Sequence, residues 1–193
     1  MNSVCVFCGS SAGKDPAYAE AARQLGRAIA DRGSILVYGG GHVGLMGVVA
    51  DAALGRGGEV FGVMPKALVD REIAHEGLTR LHVVGSMHER KALMSDLSEG
   101  FVALPGGNGT LEELFEVLTW AQLGEHDKPC GLLNVFGYYD PLLKVFDRMA
   151  DQAFLKEEHR ELVLVEKDPV LLLERFEAYE PPRTVKWIDD SQT

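Results

Sequence analysis

The chain has 193 residues, 46% of them hydrophobic with aromatics spread along it, which is enough for one domain with a real core and crowded for two. Its formal net charge of −10 argues against nucleic acid or anionic membrane as a partner, since either would be approached against a repulsive field. No apolar run nears the roughly 20 residues of a membrane span, and residues 1–11 lack the basic start and cleavage site of a secretory signal, so a cytoplasmic protein is expected.

The first element is a strand over Ser3–Cys8. It carries Cys5 and Cys8, a C-x-x-C pair whose odd and even positions place the thiols on opposite faces of the strand. With Cys130 the thiols number three, and a chain of this size folds without staples, so no disulfide is expected. The small-residue loop Gly9-Ser10-Ser11-Ala12-Gly13 leads into a helix over Pro16–Arg32. A strand over Ser34–Tyr38 then runs into Gly39-Gly40-Gly41-His42-Val43-Gly44 and a helix over Leu45–Arg56. Strands over Glu59–Val63 and Arg80–Val84 precede a helix over Met87–Leu97. A strand over Gly100–Leu104 enters the turn Pro105-Gly106-Gly107-Asn108-Gly109-Thr110 and a helix over Leu111–Leu123. The last units are strand Pro129–Asn134, helix Pro141–Ala150, strand Leu162–Val165 and helix Pro169–Phe176. Short β-branched runs alternating with longer amphipathic stretches predict an α/β fold, a Rossmann-like doubly wound parallel sheet. One domain over residues 1–180 with a tail over 181–193 is expected.

In such sheets ligands bind beyond the carboxyl ends of the strands, which is where the three glycine-rich loops fall. Glycine lets main-chain N–H groups approach a phosphate, and a following helix adds unpaired donors and the positive end of its dipole. The Gly39 turn is not G-x-G-x-x-G in a first β-α unit, and the chain has no G-x-x-x-x-G-K-[ST], so dinucleotide and P-loop readings lose support. At the Pro105 turn, Thr110 is placed to cap a helix whose buried stripe is Leu111, Leu114, Phe115 and Leu118. Thr110-Leu111-Glu112-Glu113 also spells a capping box, which would make Glu113 a cap partner. A phosphate at the same terminus would instead turn Glu113 toward the sugar, where a carboxylate stabilises an oxocarbenium-like transition state and directs water. The spacing leaves both readings open. Arg90 and Lys91, near the start of the helix over Met87–Leu97, are natural counter-charges for an anion or a solvated helical face.

Ser86-Met87-His88-Glu89-Arg90-Lys91-Ala92 and Pro105–Glu113, followed by Leu118-Thr119-Trp120-Ala121-Gln122-Leu123-Gly124, resemble the LONELY GUY family of cytokinin riboside 5′-monophosphate phosphoribohydrolases. The similarity extends to Val6-Phe7-Cys8-Gly9-Ser10-Ser11, Tyr38-Gly39-Gly40-Gly41, Gly131-Leu132-Leu133-Asn134 and Gly137-Tyr138-Tyr139, and covers roughly Ser3 to Val165. M-x-x-R-K followed by P-G-G-x-G-T-x-x-E is a specific pair of motifs. The resemblance implies a homodimer that hydrolyses an N6-modified adenosine monophosphate to free base and ribose 5-phosphate without a cofactor. It places the catalytic roles on Arg90 and Glu113. It places substrate contacts on Glu72, Lys91, Gly107, Asn108, Gly109, Thr110, Leu111, Glu112 and Thr119. Asn108 stands where the family often has tyrosine or phenylalanine.

Some members of that family carry a lysine decarboxylase label, a reaction that needs a pyridoxal phosphate Schiff-base lysine; nothing around Lys66, Lys91 or Lys128 resembles such a site. The six histidines include no compact metal-ligand set, and no metal is expected. Two rival readings are a Rossmann-like module that carries a nucleotide or molybdenum cofactor without turnover, and a nicotinamide-dependent oxidoreductase. The missing G-x-G-x-x-G counts against the second.

Overall fold

The structure is a computed structural model and describes residues 1–70 and 74–182. Seven strands, β1 (Ser3–Phe7), β2 (Ile35–Tyr38), β3 (Val60–Pro65), β4 (Arg80–Val84), β5 (Phe101–Ala103), β6 (Cys130–Leu133) and β7 (Val163–Glu166), form one sheet in the order β4-β3-β2-β1-β5-β6-β7. Every pairing is parallel. The inner strands read as unbroken apolar runs because both faces are covered, whereas the edge strand β4 leaves Arg80 and Val83 exposed.

Helices α1 (Pro16–Asp31), α2 (Gly44–Leu54) and α8 (Pro169–Glu177) cover one face, where Leu25, Ile29, Val49 and Phe176 pack with Val4, Val6 and Cys8 of the first strand segment. Helices α4 (Met87–Asp96), α5 (Asn108–Leu123) and α6 (Asp140–Asp151) cover the other, where Met94, Leu114, Val117 and Phe146 pack with Cys5 and Phe7. Cys5 and Cys8 therefore lie on opposite faces, as the strand period requires, and they and Cys130 are buried free thiols. Asp15 caps α1 through the Ala17 N–H at 2.9 Å, with Pro16 in the first turn, and Asp168 does the same for α8.

Three short pieces carry no periodic signal and were not expected: α3 (Lys66–Val69), a 3₁₀ turn over Val135–Gly137 and α7 (Glu157–Arg160). Four residues are too few to show a 3.6-residue repeat. The larger difference is at α5. It begins at Asn108 rather than Leu111, with Gly107 in the cap position and no side-chain cap. Thr110 is thus a buried residue in the first turn, not the cap, and Glu113 lies a turn and a half into the helix, out of reach of a capping box.

The strand order reverses at β1, which has β2 on one side and β5 on the other. The loops leaving β1 and β5 diverge there and open a crevice beyond the strands' carboxyl ends.

Candidate active site

A cleft of about 640 Å³ fills that crevice. It is lined by the Gly9 and Gly39 loops, by the first turn of α5 and by an apolar wall that includes Met46, Met64, Leu68 and Met94. A smaller recess of about 280 Å³ adjoins it through Gly9, Ser10 and Gly107, with Tyr18 and Tyr138 on its sides.

Arg90 reaches the cleft from α4. Ser86 caps that helix, its hydroxyl accepting from the Glu89 N–H at 3.1 Å, while the Glu89 carboxylate accepts from the Gly85 N–H at 2.8 Å. From the first turn so fixed, the Arg90 side chain crosses to β3, where Nε donates to the Val63 carbonyl at 3.1 Å. A Cβ on Gly39 would stand 1.9 Å from Arg90 Nη2, so the guanidinium occupies space that only glycine leaves open.

Glu113 descends from α5 to meet it, with Oε1 3.8 Å from Arg90 Nη2 and both side chains 12% exposed. That separation is an ion pair without a tight hydrogen bond, so both groups keep bonding capacity for a ligand. Burial pushes the Glu113 carboxyl above its usual 4.5; Arg90 opposes this, Glu112 adds to it, Lys91 opposes it and Glu116 adds to it. A carboxyl both desolvated and paired with a specific cation in a cleft is a candidate functional group. Cys8 also lines the cleft, but burial, reinforced by Glu113, raises its pKa far above the usual thiol range, so it is not a thiolate nucleophile.

The Pro105 turn forms the floor. Gly107, Asn108, Gly109 and Thr110 all border the cleft. The first intrahelical bond of α5 runs from the Leu111 N–H to the Gly107 carbonyl, leaving the N–H groups of Asn108, Gly109 and Thr110 without helical acceptors. A Cβ added to Gly107 or Gly109 meets nothing within 4 Å, and neither has positive φ. The chain's own packing thus gives no reason for glycine at either position; a group lying close over the turn would.

The other residues singled out by sequence resemblance fall elsewhere. Lys91 spans α4 to α5, its Nζ 2.5 Å from Glu112 Oε1 and 3.0 Å from Glu116 Oε1, and these bonds raise its pKa. Thr119 donates to the Phe115 carbonyl one turn earlier, and Leu111 packs against the core under α5. None of Lys91, Leu111, Glu112 and Thr119 borders the cleft of the single chain. Glu72 lies outside the described residues. His75 pairs with Asp51 at 2.9 Å and His126 with the Val117 carbonyl at 2.9 Å, and no group of three or more potential metal ligands occurs among the described residues. Sequence reasoning passed over Tyr138 and Tyr139 as site residues; their hydroxyls donate to the Gly106 carbonyl of the Pro105 turn and to the Leu104 carbonyl just before it.

A family model described as "Possible lysine decarboxylase" matches residues 46–176. A rice protein (Oryza sativa subsp. japonica) described as a "Probable cytokinin riboside 5′-monophosphate phosphoribohydrolase" is 51% identical over 178 residues, 92% of this chain and 73% of its own. An Arabidopsis thaliana cytokinin riboside 5′-monophosphate phosphoribohydrolase is likewise 51% identical, covering 92% of this chain and 82% of its own. Among solved structures, the molybdenum cofactor binding protein of the phototrophic bacterium Rippkaea orientalis superposes with a TM-score of 0.70 at 23% identity, over 92% of this chain and 96% of that one. At that identity the likeness speaks for the fold alone. No lysine among the described residues borders the cleft: Lys66 pairs with Asp70, Lys91 is held by two glutamates, and Lys128 donates to the Ser95 carbonyl. The residues present do not fit a Schiff-base cofactor site.

Proposed function

The chain belongs to the LONELY GUY family of cytokinin riboside 5′-monophosphate phosphoribohydrolases, and from that premise we propose that its cleft binds an N6-modified adenosine 5′-monophosphate, or AMP, and hydrolyses the bond from base to ribose. The 5′-phosphate lies over Gly107–Thr110, where three unpaired amides and the helix dipole supply the local attraction that a chain of net charge −10 lacks. The base lies against the apolar wall. Glu113 then faces C1′, stabilises the positive charge that develops as the C1′–N bond breaks, and orients the water whose hydroxyl adds to C1′ while its proton passes to the Glu113 carboxylate. The departing base takes a proton from another group or from solvent. Arg90 holds Glu113 ionised and in place.

The observation that carries this reading is the buried Arg90–Glu113 pair beside a helix terminus whose glycines face open space. Gly109 tests it by separating stability from function. Alanine there suits the helix better than glycine, and Gly109→Ala is expected to raise the melting temperature by about 1–4 °C. The same methyl stands where the phosphate approaches the amides, so KM for AMP rises about tenfold or more through loss of a charge-assisted bond. A lower melting temperature with unchanged KM would contradict the assignment.

Glu113 also sets a pH dependence. The ionised form is the active one and its pKa is raised, so the acid limb of kcat/KM falls at a pH above 4.5. In linkage terms the folded state holds this proton more tightly than the unfolded chain. The protonated form's contribution to stability is therefore full below 4.5 and lost as pH rises through the folded pKa.

For the assembly we infer a homodimer through the α4–α5 side, where Met87 and Leu123 are exposed. That face carries Lys91, Glu112 and Thr119, and pairing would set them beside a second copy. The protein acts in the cytoplasm on this reading; no helix among the described residues is long and apolar enough to cross a membrane.

A further inference from the structure

The loop between β6 and α6 has a conformation that packing alone does not explain. Phe136 is 75% exposed yet holds φ 50° and ψ 30°, and Gly137 follows at φ 71°. Left-handed backbone at a phenylalanine is costly and persists only where neighbouring contacts over-determine it. Here they do. The Asn134 side chain accepts from the Tyr139 N–H at 2.8 Å and donates to Asp140 Oδ1 at 2.7 Å, closing the loop on itself. The kink sends two successive tyrosines to one target: Tyr139 Oη donates to the Leu104 carbonyl at 2.6 Å, and Tyr138 Oη donates to the Gly106 carbonyl at 2.6 Å. The carbonyl between them, on Pro105, accepts from the Gly9 N–H at 3.1 Å. Three consecutive carbonyls entering the turn are thus each tied down.

In a trans peptide the C=O of one residue and the N–H of the next point in opposite directions within one plane. By holding the Gly106 carbonyl, Tyr138 fixes the direction of the Gly107 N–H, which has no protein acceptor among the described residues. That plane lies between two glycines, where no Cβ resists rotation, so it is the easiest in the turn to flip. We propose that Tyr138 is a positioning residue that locks the Gly106–Gly107 peptide with its N–H available to the substrate's phosphate. This rests on the reading of the Pro105 turn as the phosphate site. Tyr139 is buried and its bond serves the end of β5, whereas Tyr138 sits at the rim, beside Tyr18 at 5.8 Å between ring centroids.

Tyr138→Phe keeps the ring and its contacts and removes only the donor. KM for AMP is expected to rise about three- to tenfold, the scale of one neutral hydrogen bond, with kcat within about twofold and the melting temperature nearly unchanged. The inhibition constant of inorganic phosphate, competing with AMP, rises by the same factor. Equal KM and equal phosphate inhibition in parent and variant would overturn the role of Tyr138 while leaving the phosphate site in place. Failure of phosphate to compete with AMP in the parent protein would overturn the site reading and the proposal together. A kcat that falls with KM unmoved would also refute it, since a flipped amide weakens binding first.

Discussion

Glu113→Gln should cut turnover by about three orders of magnitude while leaving the fold as stable as before or more so. The amide keeps the shape of the side chain and its place in α5, but it offers no negative charge to C1′ and cannot draw a proton from water. Loss of a positioned general base and charge stabiliser costs about 10³-fold in kcat. Stability moves the other way because the parent carboxylate is held ionised against its burial, with its pKa above 4.5. At neutral pH that charge is a cost, and a neutral isostere removes it; Arg90 loses a partner that stood 3.8 Å away. Measured kcat and thermal unfolding of the purified variant decide this together. A variant that keeps near-parental turnover would leave Glu113 a structural residue.

Arg90→Ala has the second largest expected effect, about 10²-fold in kcat/KM, and it carries a signature in pH. Arg90 is the principal group opposing the upward shift of the Glu113 carboxyl. Without it that pKa climbs further, so the residual activity should have its acid limb at a higher pH than the parent's. Arg90→Lys restores charge but not the Nε–H donated to the Val63 carbonyl, and a partial return of rate with partial correction of the acid limb is expected. A rate loss matched by an equal collapse of thermal stability, with no movement of the limb, would reassign Arg90 to holding α4 against β3.

Much of this architecture is legible in the sequence for one physical reason: a parallel sheet buried on both faces leaves unbroken apolar runs. Each predicted strand lies within two residues of the observed one at either end. Arg90, Glu113 and the Gly107–Thr110 turn, picked out by charge, glycine content and family resemblance, do converge on one cleft. The start of α5 was misread because the Thr110–Glu113 spacing imitates a capping box. A glycine with no side chain to announce it caps the helix instead, and the amides it leaves bare are what an anion needs. Tyr138 and Tyr139 were invisible in their role because each bonds to a main-chain carbonyl more than thirty residues earlier, a pairing no local pattern encodes. Glu112 and Thr119 came from resemblance alone and Lys91 from its charge as well, and in the single chain all three serve α4 and α5 instead of the cleft.

In the proposed site the carboxylate and the glycine turn work together: the turn would fix one end of the nucleotide so that Glu113 meets the other end of the ribose. Incubating the protein with AMP and with isopentenyladenosine 5′-monophosphate, and assaying free base and ribose 5-phosphate together, tests that claim most directly. Release of both products in equal amounts, dependent on Glu113, is the predicted result. Tight binding of either nucleotide with no product would contradict it and leave a carrier in place of a hydrolase.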